Sequence, residues 1–275
     1  QPTSFALSPD GRQIVFVASE DGPSRLWVRS LATTMAQPLA GTDGAQSPFW
    51  SSDSRALAFF ADGQLKRIDL AGGALQNIAP ASAPRGGTWN ADGVILFAPN
   101  YGGSLVRVPA SGGPPVAVTT LAGHTSHRFP LFLPDGRHFL FYAQGTPDSA
   151  GIDLGTLDAP DTHRLTAADT PGVFLPSVRR MGPGSAEART ASEGGWLLWV
   201  RAGTLVAERV DVARAALTCD PVTLADPVAV DATINAAAVS VSASGLVAYR
   251  TGAQPAATHL GQPVGPGARP AGRTG

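Results

Sequence analysis

The chain has 275 residues, of which 43% are hydrophobic, 32 are Gly and 24 are Pro, a composition that allows a large core but excludes a bundle of long helices. The 20 Lys and Arg nearly cancel the 21 Asp and Glu, so no basic field exists to attract nucleic acid or anionic lipid. The longest apolar runs have about five residues, against the roughly 20 that a membrane-spanning helix needs, and a single cysteine excludes an internal disulfide.

A short phrase opens the chain and then recurs. Residues 5–17 consist of an apolar run, the tetrapeptide Ser-Pro-Asp-Gly and a second apolar run. Asp-Gly between two such runs supplies the positive φ angles of a tight hairpin, so Asp10 and Gly11 are predicted to form a structural turn between two strands. Similar phrases open near residues 49, 88 and 131, and they place these residues in the same structural turn: Asp53, Asp92, Gly93, Asp135 and Gly136.

Two weaker copies open near residues 193 and 239, which makes six openings. The four clear copies place their Asp residues 43, 39 and 43 positions apart. Each phrase is followed by a run that alternates apolar and polar residues, such as 65–70, and then by a Gly-rich turn and a short fourth run. Four antiparallel strands in about 40 residues are typical of a propeller blade. We therefore predict an all-β propeller of about six four-stranded blades over residues 1–251, with the last blade incomplete; the alternative is a β-sandwich with regularly spaced strands.

The repeated phrase also resembles a known family. Residues 5–16, followed by Leu26-Trp27-Val28, resemble the WD40-like repeat called PD40 of TolB-type β-propellers. Residues 49–54, 59–69, 86–90 and 132–139 are similar to the propeller region that follows the kinase domain in many bacterial eukaryotic-like serine/threonine kinases. The resemblance covers residues 1–251. It implies a TolB-like propeller that acts as a sensor, placed outside the cytoplasm, in the periplasm, if the chain is attached to a membrane-anchored kinase.

Two segments depart from the repeat. Residues 176–193 have no apolar periodicity, so we expect a flexible loop insertion, in which Arg179 and Arg180 are either a docking site or solvated charges. Residues 252–275 contain ten Gly or Pro and no aromatic residue, so we expect a disordered tail that adds no strand. The ring would then be open, or closed only by an imperfect contact with residues 2–7. A fragment boundary, a change of reading frame and a genuine linker all explain such an ending.

The sequence contains no catalytic motif of the enzymes that carry such propellers. A kinase needs an Asp-Phe-Gly motif and a catalytic-loop Asp, which the stretch His127-Arg128-Phe129 lacks, and the only lysine is Lys66. The Gly-x-Ser-x-Gly elbow of a serine peptidase is also absent. We therefore expect a non-enzymatic chain and assign no catalytic residue.

One pair of residues has the spacing of metal ligands. His124 and His127 are three positions apart, but no second cluster accompanies them, so a polar loop is the better interpretation and we predict no metal and no other cofactor. Cys219 has no adjacent His or Lys that would activate its thiol, and it is expected to be an ordinary turn residue. The five tryptophans are expected to pack between blades.

These observations predict a binding or sensor module. Its contacts would come from the loops on the ring faces and from the mouth of the central channel, and its partner would be a protein, a peptide or a small ligand, with no nucleic acid and no membrane insertion. The favoured parent is a bacterial serine/threonine kinase. The alternatives are the substrate-screening propeller of a serine peptidase and a free-standing TolB-like periplasmic scaffold.

Overall fold

The computed structural model describes residues 4–20, 22–177 and 194–252, together with the backbone of residues 258–261. These residues form strands, turns and bends. Among them, no helix has the length and apolar character needed to cross a bilayer.

The first four blades are separate antiparallel sheets, and in each sheet the strands lie side by side in chain order. Blade one contains β1 (Phe5–Leu7), β2 (Gln13–Ala18), β3 (Arg25–Ser30) and β4 (Ala36–Pro38). Blade two contains β5 (Gln46–Trp50), β6 (Ala56–Ala61), β7 (Gln64–Asp69) and β8 (Gln76–Pro80). Blade three contains β9 (Gly87–Trp89), β10 (Val94–Phe97), β11 (Val106–Pro109) and β12 (Val116–Ala117). Blade four contains β13 (Ser126–Phe132), β14 (His138–Gln144), β15 (Gly151–Thr156) and β16 (Ala159–Ala167).

The last two blades are less regular. Blade five contains β17 (Val173–Pro176), β18 (Gly195–Arg201) and β19 (Thr204–Asp211), and two short strands, β20 (Ala216–Leu217) and β21 (Val222–Ala225), both pair with β19. A hairpin of β22 (Val230–Asp231) and β23 (Ala236–Ala237) leads into blade six. Blade six contains β24 (Val239–Val241), β25 (Val247–Arg250) and β26 (Thr258–Gly261). The all-β propeller predicted from the repeat is therefore confirmed.

Blade five begins earlier than the predicted opening near residue 193. Its first strand is Val173–Pro176, and Gly195–Arg201 pairs with that strand as the second. The segment 176–193 thus joins two strands of one blade and does not separate two blades. The first strand was missed because no Asp-Gly turn follows it. Residues 178–193, which include Arg179 and Arg180, lie outside the described residues.

Blade six has a strand that the composition did not predict. Thr258–Gly261 pairs antiparallel with Val247–Arg250, which corrects the expectation that no strand follows Gly252. Backbone pairing needs only the N–H and C=O groups of an open strand edge, so a segment without a clear apolar pattern can occupy it. The rest of the predicted tail, at 253–257 and 262–275, lies outside the described residues.

The first strands of the blades surround a central channel and close the ring. β1 lies against β5, β5 against β9 and β9 against β13, while β24 lies against both β17 and β1. Because β24 contacts β1, blade six is seated on blade one and the ring is not open. Among the described residues, blades one and six remain separate sheets, so closure uses side-by-side packing and not a shared sheet.

The closing contact repeats the contact between blades three and four. There, the backbone N–H of Phe132 donates to Thr88 Oγ1 at 3.2 Å; at the closure, the N–H of Leu7 donates to Ser240 Oγ at 2.9 Å. The two hydroxyl residues occupy equivalent positions on the first strands of blades three and six. Blade six therefore docks on blade one as an ordinary neighbour.

The core consists of apolar layers between adjacent blades. The clusters lie around Trp50 and Phe59 (blades one and two), Phe60 and Phe97 (two and three), Phe139 and Phe141 (three and four), Leu197 and Trp199 (four and five), Leu198 and Val200 (five and six), and Leu7 and Ile14 (six and one). Middle strands are the most buried, and Ala56–Ala61 is buried at every position because a blade covers each of its faces. Each fully buried large aliphatic or Phe side chain contributes about 1.5–3 kcal/mol.

Candidate binding site at the mouth of the central channel

The two faces of the ring differ in their chemistry. We call the face with the turns between the first and second strands of each blade the turn face. Turns of neighbouring blades meet there: the N–H of Asp10 donates to Ser54 Oγ at 3.2 Å, and the N–H of Ser244 donates to the Pro9 carbonyl at 3.2 Å. We call the opposite face, where the chain enters each first strand, the entry face; its segments include 82–86, 119–125, 168–172 and 232–235.

The structure places all seven predicted turn residues on the turn face. Gly11, Gly93 and Gly136 have φ angles of 71°, 75° and 69°, and Ser54 has a φ of 62° at the corresponding position of blade two. These values lie in the left-handed region that glycine adopts without a steric penalty. The glycines therefore allow the tight hairpin turns, and Ser54 adopts the same left-handed conformation at a steric cost.

The aspartates of these turns bind groups within their own turn. Asp10 Oδ1 accepts hydrogen bonds from Ser8 Oγ at 2.6 Å and from the Arg12 N–H at 3.0 Å, and Asp53 repeats both contacts with Ser51 and Arg55. The serine hydrogen bond is the main reason why the pKa of each carboxyl lies below its usual value. Since both carboxylates already have partners, they do not form a site.

A buried arginine, Arg128, lies on the entry face at the channel mouth. Arg128 lies on β13, next to a β-bulge, and is 7% exposed. Its guanidinium donates to Ser126 Oγ at 2.8 Å, to the Tyr101 carbonyl at 2.9 Å and to Asn235 Oδ1 at 3.3 Å. All three acceptors are neutral, and the ion pairs found among the described residues do not include Arg128. The positive charge is thus removed from water without a carboxylate to balance it.

A second guanidinium lies near the first. Arg85 precedes β9, and its carbonyl accepts the N–H of Phe129 at 2.7 Å, which ties it to the residue after Arg128. Burial first, and then the charge of Arg85, lower the pKa of Arg128. Arg85 Nη1 donates to the Pro84 carbonyl at 2.8 Å, while its buried Nε has no hydrogen-bond partner among the described residues. The mouth therefore carries two neighbouring positive charges.

The remaining groups of the mouth come from other blades. Asn235, on the hairpin before blade six, donates to the Asp169 carbonyl at 3.2 Å. Asp169 is exposed, and it lies close enough to Tyr142 to raise the pKa of that phenol, although burial is the larger cause. Tyr101, whose carbonyl accepts from Arg128, is 66% exposed. Groups from blades three and four and from the segments entering blades five and six therefore converge on one opening.

A largely apolar cavity of about 200 Å³ lies directly inside this mouth. Its lining comes from all six blades and includes Phe5, Phe49, Phe129, Leu131, Trp199 and Val239. Gly86, Phe129 and Ile234 are among its lining residues, and they are the chain neighbours of Arg85, Arg128 and Asn235, so the polar groups lie beside the cavity. The volume corresponds to about seven water molecules.

The predicted histidine pair forms a buried contact beside blade three. His127 is 1% exposed; its Nδ1 lies 2.8 Å from Thr119 Oγ1, and its Nε2 lies 3.3 Å from His124 Nδ1. Burial, and then repulsion by His124, lower the pKa of His127 to about 4. Within the described part of the chain, no group of three or more His, Cys, Asp or Glu is arranged to hold a metal ion. Cys219 accepts the N–H of Arg209 at 3.3 Å.

Comparison with known proteins identifies the fold. No protein-family model and no curated protein matches the sequence. A putative TolB from Agrobacterium tumefaciens matches with a TM-score of 0.61 and 16% identity, over 88% of this chain and 86% of its own. TolB from Acinetobacter baumannii matches with a TM-score of 0.58 and 14% identity over 76% of this chain, which spans about half, 51%, of that protein. The fold is a TolB-like β-propeller.

Another structure shares the fold of this TolB-like propeller. An oligogalacturonate lyase in complex with manganese matches with a TM-score of 0.55 and 16% identity, over 90% of this chain and 70% of its own. At such identities the likeness concerns the fold alone, because one propeller scaffold supports unrelated functions.

Sequence reasoning missed the residues of the mouth. In the sequence, Arg128 stands out only within His127-Arg128-Phe129, a stretch that lacks the Asp of a kinase catalytic loop. No motif marks Tyr101 or Asn235. The sequence carries little signal for these residues. Asn235 and Phe129 adopt positive φ angles of 61° and 49°, but neither lies in an Asp-Gly turn that would predict such a conformation. The TolB-like propeller brings these residues together only through its ring.

Proposed function

We propose that this chain is a non-catalytic propeller that binds its ligand at the entry-face mouth of the channel. The observation that carries the proposal is Arg128, a buried cation without a carboxylate partner among the described residues, whose chain neighbour Phe129 lines an apolar cavity formed by all six blades. Ligand sites are usually concave and mostly apolar, with a few placed polar groups. A protein, a peptide or a small ligand is the class of partner that such a mouth accepts.

We further propose that the parent protein is a bacterial serine/threonine kinase, with this propeller as its sensor outside the cytoplasm. The support is the resemblance of residues 49–54, 59–69, 86–90 and 132–139 to kinase-associated propellers. The neighbouring coding sequence tests this. An upstream kinase with an Asp-Phe-Gly motif and a membrane span supports the sensor, a downstream Gly-x-Ser-x-Gly domain supports a peptidase, and a signal peptide directly upstream supports a free-standing scaffold.

The site itself is tested by ligand binding. A thermal-shift screen with peptides, cell-wall fragments and sugars is expected to yield a ligand whose affinity falls in the variant Arg128→Gln. The matched control is Arg137→Gln, because Arg137 pairs with Asp158 and follows the blade-four turn on the opposite face. A ligand that responds to the control variant and not to Arg128→Gln would place binding on the turn face and contradict the proposal.

A further inference from the structure

The hydrogen bonds of Arg128 leave part of its guanidinium unused. Arginine has five N–H donors, one on Nε and two on each Nη. Ser126, Asn235 and Tyr101 take one donor from each nitrogen, so one N–H on each Nη remains. Arginine can offer one N–H from each Nη to the two oxygens of a carboxylate.

The charges around the mouth favour an anion with a single negative charge. Arg85 adds a second cation close to Arg128; burial and then the charge of Arg85 lower the pKa of Arg128, and an anion between the two guanidinium groups would relieve their repulsion. Asp169, whose carboxylate is exposed near Tyr142, opposes a ligand with a larger negative charge. A carboxylate satisfies these conditions better than a doubly charged phosphate.

The cavity specifies what is attached to the carboxylate. Phe129 and Trp199 line it, its volume is about 200 Å³, and the chain neighbours of Arg85, Arg128 and Asn235 are among its lining residues. This space has room for about seven water-sized groups, which is enough for one aromatic or branched side chain. A ligand that fills it would place an apolar group in the channel and its charged end at the mouth.

We propose that the channel mouth recognises a carboxylate carried on an apolar body, held by Arg128 and Arg85 with the apolar group inside the cavity. This inference rests on the proposed binding function and specifies its ligand chemistry. Two sources share that chemistry: the C-terminus of a peptide that ends in an apolar residue, and a free apolar carboxylic acid.

The test compares acids with their amides by calorimetry on the full chain. The probes are acetyl-Gly-Phe and 3-phenylpropionate, each as the free acid and as the primary amide, with phenyl phosphate as the doubly charged competitor. We expect the acids to bind roughly ten-fold more tightly than the amides. Binding of only the peptide acid identifies a chain terminus as the source, and binding of only phenylpropionate identifies a free acid; either result supports carboxylate recognition.

Variants separate recognition from folding. Arg128→Gln is expected to remove the preference for acids. If Arg128→Gln lowers the melting temperature strongly, Arg85→Gln provides the same test, since the hydrogen bonds of the Arg85 side chain go to the carbonyls of Ala83 and Pro84. Arg137→Gln should leave all affinities unchanged.

Several results would overturn the inference. They are equal binding of acid and amide, tighter binding of phenyl phosphate, no binding of either acid at millimolar concentration, or an acid preference that survives both arginine variants. Amide binding that is lost in Phe129→Ala but kept in Arg128→Gln would reject carboxylate recognition and leave the channel mouth as the ligand site, so this failure differs from failure of the proposed function.

Discussion

The seating of blade six on blade one can be tested with a single methyl group. Gly11, in the blade-one turn, has a φ of 71°, and a Cβ added there would overlap Ser244 Oγ of blade six. Ser244 Oγ in turn lies 2.8 Å from Ser242 Oγ. Gly11→Ala therefore strains its own backbone and also disturbs the contact that closes the ring.

A matched variant isolates the second effect. Gly93 occupies the same turn position in blade three with a φ of 75°, and a Cβ there would meet nothing within 4 Å. Gly93→Ala should lower the free energy of unfolding by about 1–2 kcal/mol, the usual left-handed penalty. Gly11→Ala should lower it by about 1 kcal/mol more, because Ser244 must rotate and lose its bond to Ser242.

Urea unfolding of five proteins measures this difference: the wild type, Gly11→Ala, Gly93→Ala, Ser244→Ala and the double variant of Gly11 and Ser244. In the background Ser244→Ala, the nearest remaining blade-six side-chain atoms lie at 3.4 Å (Ser242 Oγ) and 3.6 Å (residue 244 Cβ), so the extra loss at Gly11 should largely disappear. The double-mutant cycle is therefore expected to show a coupling of about 1 kcal/mol. Equal losses at Gly11 and Gly93, with no coupling to Ser244, would refute the seating of blade six on blade one.

Two further predictions concern the buried polar groups. The pKa of His127 is about 4 in the folded chain against 6.5 when exposed, so the unfolded state binds the extra proton and stability should fall by about 3 kcal/mol as the pH drops from about 6.5 to about 4. His127→Asn should flatten this part of the stability profile, measured by urea titration at each pH. Burial raises the pKa of Asp153, which acts in the opposite direction, but it does so in both proteins. An unchanged profile in His127→Asn would contradict the burial argument. The side chain of Asn90 accepts from the Val94 N–H and donates to the Gly136 carbonyl, both at 2.8 Å. Asn90→Asp keeps the first hydrogen bond and loses the second, so it should lower the free energy of unfolding by about 1–3 kcal/mol. An unchanged urea midpoint in Asn90→Asp would mean that the bond between blades three and four contributes nothing.

The blades could be predicted from the sequence because the turn in each one depends on residues that are close together in the chain. The turn at Asp10 and Gly11 is determined by adjacent residues, since the serine, the aspartate and the glycine that build it lie within four positions. The same phrase at regular spacing predicts the repeat, and the repeat predicts the propeller. Where the phrase is missing, as after Val173–Pro176, the prediction misplaced the start of a blade, and where composition was the only guide it missed Thr258–Gly261.

The tertiary structure alone decided where the candidate site lies. Arg128 bonds to Tyr101 and Asn235, which are 27 and 107 positions away in the chain. The periodicity of the sequence does not predict which of these remote residues meet, because that depends on how many blades separate them and on whether the ring closes. The sequence determined the blade, whose contacts are local. Only the closed ring, which brings remote loops to one mouth and leaves a buried arginine there without a carboxylate partner among the described residues, decided the site.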